Sequence, residues 1–404
     1  MYGGIGRRQV PGSARRRQLE ELSLQVRFLS SLDRLPAAQW NALALGGNPF
    51  VRHEFLLALE RTGCVGEASG WSPNHLVIED GERLLGAVPL YRKAHSWGEF
   101  VFDWSWARAY DQAGLQYYPK LVSMPPFTPA TGPRLLVAPD ASPEVRTRLA
   151  QELLIHAKTE RLSSAHLLFL TDEDRAALNE AHGAAAFLWR KDCQFHWFNR
   201  GYASFDDFIA TFRADKRKKA LRERRRVREG GVTFRTLTGA DMDDRLWDIV
   251  FGFSAGTFEA HGHEHYLNVE FFRAVSAVMP HTVVVKLAEY QGQPIATAIF
   301  FRGDRVLYGR YWGAAANYHS LHFETCYYQG IEYCIEQGLQ HFEPGTQGEH
   351  KIARGFEPTA TWSAHWIAEP RFRRAIDRYL NDERAAIDQY ILQVEQHTPF
   401  HRGP

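Results

Sequence analysis

The sequence has few cysteines, and their spacing fits neither a metal site nor a redox motif. Its four cysteines, Cys64, Cys193, Cys326 and Cys334, include no CxxC pair, which argues against a zinc ribbon or a thioredoxin-type motif. Cys326 and Cys334 are eight positions apart on one predicted helix, too far for a disulfide. This usage is typical of a reducing compartment, and we expect a cytoplasmic protein.

Long apolar runs, a charge excess of either sign and the common nucleophile motifs are also lacking. No apolar segment approaches the length of a membrane span. The formal net charge is +1, so any electrostatic attraction to nucleic acid or membranes must be local. Neither GxSxG nor a Cys/His pair in a suitable context is present, which favours direct attack between substrates over a covalent intermediate. We predict no metal site and no tightly bound cofactor.

The length and composition indicate two ordinary globular domains. A chain of 404 residues with 45% hydrophobic and 24% charged residues has enough apolar material for two cores. Residues 1–18 hold five arginines and no acid, and we predict a disordered basic tail over residues 1–21. This segment lacks the apolar core of a secretory signal, whereas an organelle transit peptide is the alternative.

The same order of predicted elements occurs twice along the chain. In the first half, a hairpin over residues 74–91 turns at Gly81, a third strand spans Glu99–Trp104, and a helix follows. In the second half, a hairpin turns at Gly292, 211 residues after Gly81, and a third strand and a helix again follow. We interpret this order as an internal duplication. The alternative is that α/β chains repeat such units without duplication.

The duplication sets a boundary near residue 199. We therefore predict one domain over residues 22–199 and a second, carrying the main site, over residues 200–396. Strands joined by hairpins and followed by helix, strand, helix and strand predict an α/β fold with sheets of mixed direction.

The stretch from Leu307 to Trp362 has the layout of a ligand-binding α/β unit. A β-branched and aromatic strand, Val306–Trp312, precedes a small polar loop, and apolar residues then recur at helical spacing from Leu321 to Gln337. A short strand, Gln340–Phe342, leads into a charged, glycine-containing loop at residues 345–351. Because strand ends and helix N-termini converge on one crevice in such units, we expect the main site here.

Seven segments carry a resemblance to a known family. They are GWSPNHL (70–76), PLYRKAHSWGEFVFDWSWARAY (89–110), YYPKL (117–121), PFTPATGPRLL (126–136), LYGRYWG (307–313), HFETCYYQGIEYC (322–334) and TQGEHKIARGF (346–356). Together they resemble the FemAB-like family of N-acyltransferases, from about Leu22 to Ile376. The resemblance implies two tandem GNAT-like acyltransferase domains, each a mixed, largely antiparallel sheet flanked by helices. It also implies kinship with enzymes that add amino acids to peptidoglycan precursors.

The catalytic candidates lie in the loop GTQGEHKIARGF that follows the last short strand. Amide formation needs a base for the attacking amine and donors for the tetrahedral oxyanion. We predict Glu349 and His350 as bases, and Lys351 and Arg354 as groups that hold substrate anions. The alternative is a surface loop with solvated charges.

Four further residues are predicted to contact substrate from the preceding strand and helix: Arg310, Tyr311, His322 and Glu324. An arginine inside a buried strand needs an acid, here Glu324 or Glu343, or a ligand anion. A purely structural ion pair is the alternative. His322 and Glu324 fall at a helix N-terminus, where backbone donors are free.

Residues 314–320, AAANYHS, depart from the glycine-rich loop by which typical GNAT enzymes hold acetyl-CoA. This departure argues against standard acetyl-CoA use. It leaves another acyl-CoA or an aminoacyl-tRNA as the donor substrate.

An aromatic belt from Phe100 to Phe127 suggests a pocket on the acceptor side. Polar side chains alternate with its rings, and we predict that Asp103, Trp104 and Lys120 bind the acceptor. Core packing, or packing between the domains, explains the aromatic residues equally well.

Two charged segments can each be interpreted as a solvated structural element or as a functional site. Arg213–Arg228 holds ten basic residues against two acids, and it could hold the phosphates of CoA, a transfer RNA or a lipid-linked precursor. A solvated helix is the interpretation we favour. His261–His265 suggests a metal site, but no second ligand cluster has suitable spacing, so we interpret it as a polar loop.

The sequence therefore predicts an N-acyltransferase that moves an acyl or aminoacyl group to the amine of a small molecule or peptide. Two alternatives stay open. One is a non-catalytic binding protein on a degenerate acyltransferase scaffold, and the other is an RNA- or phospholipid-surface binder acting through Arg213–Arg228.

Overall fold

The structure of the protein, a computed structural model, describes residues 24–183, 185–346 and 348–401. The predicted tail, residues 1–21, lies outside these ranges. The strands are β1 (Leu24–Leu29), β2 (Trp71–Pro73), β3 (His75–Asp80), β4 (Arg83–Val88), β5 (Tyr91–Lys93), β6 (Lys120–Ser123), β7 (Leu136–Val137), β8 (Ser164–Leu167), β9 (Leu188–Phe198), β10 (Val232–Thr238), β11 (Val283–Tyr290), β12 (Gln293–Arg302), β13 (Val306–Ala314), β14 (His341–Glu343) and β15 (Glu357–Ile367). They form a four-stranded sheet, β1-β3-β4-β7, and an eleven-stranded sheet, β10-β11-β12-β13-β14-β9-β15-β8-β6-β5-β2.

The helices are α1 (Ala37–Asn41), α2 (His53–Arg61), α3 (Trp104–Gln112), α4 (Glu144–Thr159), α5 (Asp172–His182), α6 (Phe205–Ala210), α7 (Ala214–Glu229), α8 (Asp244–Ala260), α9 (Val269–Val278), α10 (Leu321–Phe323), α11 (Gln329–Glu336) and α12 (Pro370–Glu395). A π-helical turn, Glu324–Tyr328, joins α10 to α11. Among these helices, none combines the length with the apolar character of a membrane span.

Both faces of the second-half strands are buried, which explains their continuous apolar sequence. On one face, Val285 and Ile299 pack in the core that contains Trp247 of α8. On the other face, Phe300, the next residue along β12, packs in the core that contains Ile331 of α11. Because successive residues of a strand point to opposite faces, β12 is covered on both sides.

The predicted hairpins are confirmed, but the predicted strand Glu99–Trp104 is wrong. β3 pairs antiparallel with β4, and β11, β12 and β13 form an antiparallel meander. Residues before Trp104 instead turn, with φ of 80° at Gly98 and 58° at Phe100, and α3 then begins. The strand that corresponds to β13 is β6, which is parallel to β8 as β13 is to β14.

The final strands of the two halves are exchanged. β9, which ends the first half, pairs antiparallel with β14 of the second half, and β15, which ends the second half, pairs antiparallel with β8 of the first. β9 and β15 also pair with each other at the centre of the eleven-stranded sheet, with Cys193 opposite Ala360. The two sequence halves therefore share one continuous sheet.

β13 and β14 separate soon after they meet. Their parallel pairing covers Val306 to Tyr308 and ends at the pair Tyr308 and Glu343. β13 continues to Ala314 against β12 alone, while the chain after β14 turns away through Pro344. The separation leaves one edge of β13 facing an opening, and this opening positions the candidate site.

Gly313 of β13 allows α8 to approach the sheet, and we predict that Gly313→Ala destabilises the fold. A Cβ at this position would lie 2.0 Å from the carbonyl oxygen and carbon of Phe253, which are backbone atoms that cannot rotate away. The change should lower the free energy of unfolding by about 1–3 kcal/mol or more. The measurement is the shift in melting temperature and in the urea midpoint.

Gly252→Ala is the matched control, because Gly252 lies on α8 with nothing near the added methyl group. Alanine there should be neutral or stabilise the helix by up to about 1 kcal/mol. Equal effects of the two substitutions would contradict the close approach at Gly313.

Candidate active site

A cavity of about 620 Å³ opens where β13 and β14 separate, and both halves of the chain contribute to it. Its aromatic walls comprise Trp97, Phe100, Phe102, Phe258, Tyr266 and Trp312. Its polar side chains are Thr257, His261, His263, Arg310, His322, Thr346 and Lys351. Trp97 and Phe102 are 50% and 59% exposed and form an apolar rim. Aromatic walls with a few polar groups suit a substrate pocket.

Lys351 places an amine at the wall of this cavity with little water around it. It lies in a short 3-10 helix, Glu349–Arg354, and is only 2% exposed. Its Nζ donates to the carbonyl oxygen of Gly345 at 2.7 Å. Burial lowers the pKa of Lys351 to about 7, because the ammonium form loses its hydration. Both protonation states therefore exist at neutral pH, as an acid–base group requires.

The π-helical turn presents Cys326 and Tyr327 to the cavity, and His322 lies one turn before them. Burial raises the pKa of the Cys326 thiol, so the thiol stays protonated and is a poor nucleophile. Burial and the nearby charges of His350, Arg354 and Lys351 lower the pKa of His322 to about 4. His322 is therefore neutral and can accept or donate a hydrogen bond.

Arg310 lines the cavity without either of its predicted carboxylate partners. Its guanidinium donates to the carbonyl oxygen of Phe127 and lies 5.4 Å from the ring centre of Tyr311. Glu324 pairs instead with Arg224, and Glu343 with His341. The structural ion pair that was the alternative for Arg310 is thus not formed, which leaves its charge facing the cavity. Burial raises the pKa of Tyr311, so this residue is a neutral wall.

The other predicted residues of the charged loop lie behind the cavity or outside it. Glu349 is exposed, and its carboxylate accepts a hydrogen bond from Tyr390 at 2.9 Å. Arg354 donates to Glu223 at 2.8 Å and covers the ring of Phe323 at 3.4 Å, so its charge is already paired. Neither Glu349 nor Arg354 lines the cavity.

His350 is connected to the cavity through one neighbour. Its Nε2 lies 2.8 Å from the hydroxyl of Tyr327, which lines the cavity. Partial burial, together with the charges of Lys351 and Arg354, lowers the pKa of His350. The geometry thus places Lys351 nearer to a bound substrate than either predicted base.

Glu324 faces a second, basic groove and not the aromatic cavity. This groove of about 950 Å³ runs along α7 and is lined by Arg217, Lys218, Arg222, Arg224, Arg225 and Arg228. Glu324 is 3% exposed and pairs with Arg224 at 3.1 Å, and Arg224 also pairs with Glu332 at 2.7 Å. The predicted basic run therefore forms a groove wall, with one arginine tied to the turn that also lines the cavity.

Asp103 and Lys120 lie in a sealed network in the first half. The Nζ of Lys120 donates to Asp103 at 2.5 Å and to Glu99 and Ser96 at 2.8 Å, and the Tyr117 hydroxyl donates to Asp103 at 2.6 Å. Burial alone would raise the pKa of Asp103, but the ammonium of Lys120 holds it well below its ordinary value. Neither Asp103 nor Lys120 lines the cavity.

Trp104 acts on the cavity indirectly. Its ring packs against that of Trp97 at 5.1 Å, and Trp97 forms part of the rim. The sequence pattern did not single out Trp97 itself or the rings that α8 supplies, Phe258 above all. The aromatic belt was the available signal, but the strand order that brings α8 beside it was not visible in the sequence.

The segment His261–His265 does not gather ligands for a metal ion. His265 is enclosed by the rings of Phe258 and Tyr311, accepts a hydrogen bond from the amide of Leu267 and lies 3.1 Å from the hydroxyl of Ser254. The interpretation as a polar loop fits its two exposed histidines, which line the cavity.

Comparison with known protein families gives a match over nearly the whole chain. Residues 31–402 match the FemAB-like family, described as peptidoglycan biosynthesis/recognition. The chain belongs to the FemAB-like family. No curated protein sequence matches it.

Solved structures support the same fold at low sequence identity. The crystal structure of FemX superimposes with a TM-score of 0.53 at 10% identity, covering 87% of this FemAB-like chain and all of FemX (100%). A conserved protein of unknown function from Bacteroides thetaiotaomicron gives 0.51 at 10% identity, covering 85% and 100%. L-PGS from Bacillus licheniformis gives 0.50 at 10% identity, covering 83% and 97%. The predicted α/β fold of two tandem GNAT-like units with largely antiparallel sheets is confirmed.

We predict that Lys120→Met strongly destabilises this FemAB-like protein. The substitution leaves the carboxylates of Asp103 and Glu99 buried without their cation, which should cost about 3–5 kcal/mol of unfolding free energy. Thermal and urea unfolding measure the loss. The exposed Lys158 supplies the control, and Lys158→Met should change stability by no more than about 0.5 kcal/mol. A Lys120→Met protein as stable as the parent would show that the network does not hold this half together.

Proposed function

We propose that the protein is an N-acyltransferase that uses the cavity at the separation of β13 and β14. The observation that carries the proposal is Lys351, a buried amine with a pKa of about 7 at the wall of an aromatic pocket. Lys351 has no carboxylate partner among the described residues, so burying its ammonium form costs folding free energy, and unlike the buried Lys93 it lines the cavity. The membership of the FemAB-like family supports a transferase.

The reaction joins an acceptor amine to an activated acyl or aminoacyl carbonyl. The amine nitrogen attacks the carbonyl carbon, the C–N bond forms, and the bond to the leaving group breaks. Neutral Lys351 takes the proton that the amine loses, and its ammonium then gives that proton to the departing group. Lys351 does not carry the acyl group, because an acyl-lysine amide would be as stable as the product.

The oxyanion of the tetrahedral intermediate needs donors, and β13 offers them. Its pairing with β14 ends at Tyr308, so the strand edge from Gly309 onward faces the cavity with its backbone groups. The guanidinium of Arg310 adds a positive charge on the same strand. Fixed donors of this kind stabilise developing negative charge because they need no reorganisation.

The rim and the groove suggest how the two substrates are held. Trp97 and Phe102 present exposed rings that would cover an apolar part of the acceptor. The groove along α7 would hold the phosphates of the donor, an acyl-CoA or an aminoacyl-tRNA. FemX is one of the solved structures that superimpose on this chain over their entire length, and a peptidoglycan precursor is accordingly the first acceptor to test. The four free cysteines suit action in the cytoplasm.

A second candidate function rests on the groove alone. Four of its lining residues, Arg217, Lys218, Arg222 and Arg228, have no carboxylate partner among the described residues, whereas Arg225 lies 3.6 Å from Glu229. Such a surface could bind RNA or anionic phospholipid without any transfer. Binding that is lost at high salt and unaffected by Lys351→Met would favour this function.

Lys351→Met should lower kcat/KM for transfer by about 10²–10⁴, because it removes the proton acceptor and keeps most of the side-chain volume. The assay follows acyl or aminoacyl transfer by mass spectrometry, with acyl-CoA and aminoacyl-tRNA donors and peptidoglycan-precursor amines. Lys158→Met is the control. Glu349→Gln distinguishes the assignment of Glu349 as the base from the assignment of Lys351, because this variant should lose activity only if Glu349 is the base.

The pH profile gives an independent check. Because burial depresses the pKa of Lys351 and the neutral amine is the active form, kcat/KM should rise as the pH increases through about 7. Lys351→Arg, which stays protonated, should lose this rising limb. A parent enzyme whose kcat/KM is flat between about pH 6 and about pH 8 would contradict the role of Lys351.

A further inference from the structure

Three potential metal ligands meet on one face of the sheet at the seam between the halves. His341 and Glu343 are two positions apart on β14, so their side chains point to the same face. The register pairs Phe342 with Trp197, which places His196 of β9 opposite Glu343 on that face. One ligand atom from each of His196, His341 and Glu343 lies within 4.8 Å of the others.

The surroundings of His196 prepare one of its nitrogens for a ligand. Its Nε2 lies 3.0 Å from the side-chain oxygen of Gln194, and the amide nitrogen of Gln194 donates to the carbonyl oxygen of Pro129 at 3.1 Å. The second bond fixes the amide, so its oxygen faces His196 and accepts from Nε2–H. Nδ1 is then the nitrogen with a free lone pair. Ligating histidines usually have their second nitrogen held in this way.

Glu343 supplies an unpaired oxygen. The residue is 5% exposed, and its Oε2 meets no donor at full hydrogen-bond geometry among the residues described, although the backbone of Thr131 lies near the carboxylate. Its Oε1 lies 3.2 Å from Nε2 of His341. A buried carboxylate oxygen without a partner is costly, and a cation is one of the few groups that would satisfy it.

We propose that His196, His341 and Glu343 bind one divalent transition-metal ion of the zinc type. Two imidazoles and a carboxylate match the preference of zinc, whereas magnesium and calcium favour all-oxygen sites. The Nε2 of His341 and the Oε1 of Glu343 are 3.2 Å apart. Neighbouring ligand atoms of a tetrahedral zinc with bonds of about 2.0 Å are roughly 3.3 Å apart, which is nearly the same distance. Small rotations of the His196 side chain would bring its Nδ1 within bonding distance of the ion. A water molecule would occupy the fourth coordination position.

The ion would link the two halves where their strands are exchanged. His196 belongs to β9 of the first half, and the other two ligands belong to β14 of the second. The side chain of His341 is 25% exposed, which gives the ion a route from solvent. His196, His341 and Glu343 do not line the cavity, although His196 is close enough to Lys351 for the charge of the lysine to act on it. The transfer reaction proposed above needs no metal ion.

The test uses the full-length protein, stripped with a chelator and titrated with zinc chloride in a calorimeter. We expect one equivalent to bind, the melting temperature to rise with zinc, and cobalt(II) to give the visible absorption of a four-coordinate site. His341→Asn should weaken zinc binding by more than about 100-fold, since loss of an outer-shell partner alone costs about 10–100-fold. Gln194→Leu should weaken zinc binding by about 10–100-fold. The exposed His281 gives the matched control, and His281→Asn should leave affinity unchanged.

Circular dichroism and melting of the metal-free variants establish that each is folded. The partly exposed His341 makes its variant the most tolerant of the three ligand positions. Unchanged zinc affinity in folded His341→Asn would overturn the proposal. Binding that survives this change but is lost in His263→Asn would also overturn it, because the ion would then sit on the exposed histidine segment.

Discussion

The pairing of β9 with β15 is the contact on which the rest of the molecule depends. These are the last strands of the two sequence halves, and each continues past its partner to pair with the other half's short strand. Backbone hydrogen bonds across this seam join two repeats into one sheet, so neither half can complete its sheet alone. The exchange also explains why the functional features draw on both halves. The cavity combines rings from the first half with polar groups from the second, and the histidine and glutamate cluster combines β9 with β14.

Two buried lysines show how neighbours decide what a buried charge does. Lys120 and Lys351 are both at most 2% exposed. Lys120 lies between Asp103 and Glu99, which raise its pKa and keep it charged, although burial opposes them. Lys351 has only a carbonyl oxygen as its nearest acceptor, so burial dominates and its pKa falls to about 7. The first lysine stabilises a fold, whereas the second is available for proton transfer.

The separation of β13 and β14 opens the cavity beside the edge of β13. Three residue pairs hold the strands in parallel, and Gly309 then lets the chain at Pro344 pass within 3.1 Å of where a Cβ would be. Beyond that point the strand edge has lost its neighbour, and its backbone groups face the cavity. The π-helical turn on the other side shifts Cys326 and Tyr327 toward the same space. Irregularities on both sides of the opening thus create the pocket that regular pairing would have filled.

The amino-acid sequence by itself determined most of the elements and the family. Alternating and continuous apolar runs located the hairpins, β13 and the helix after it, because these patterns follow from which faces are buried. It could not locate β6, since Glu99–Trp104 has the composition of a strand and the turns at Gly98 and Phe100 depend on how Lys120 gathers Glu99 and Asp103. The charged loop contributes Lys351 to the cavity, but only the tertiary structure showed which of its charged residues lies there. Glu349 and Arg354 have partners on α12 and α7, elements distant in sequence, while Lys351 has only the carbonyl oxygen of Gly345 and no carboxylate partner among the described residues. The protonation state of a side chain and its access to the cavity depend on its neighbours in three dimensions. The strand exchange determines which residues become neighbours.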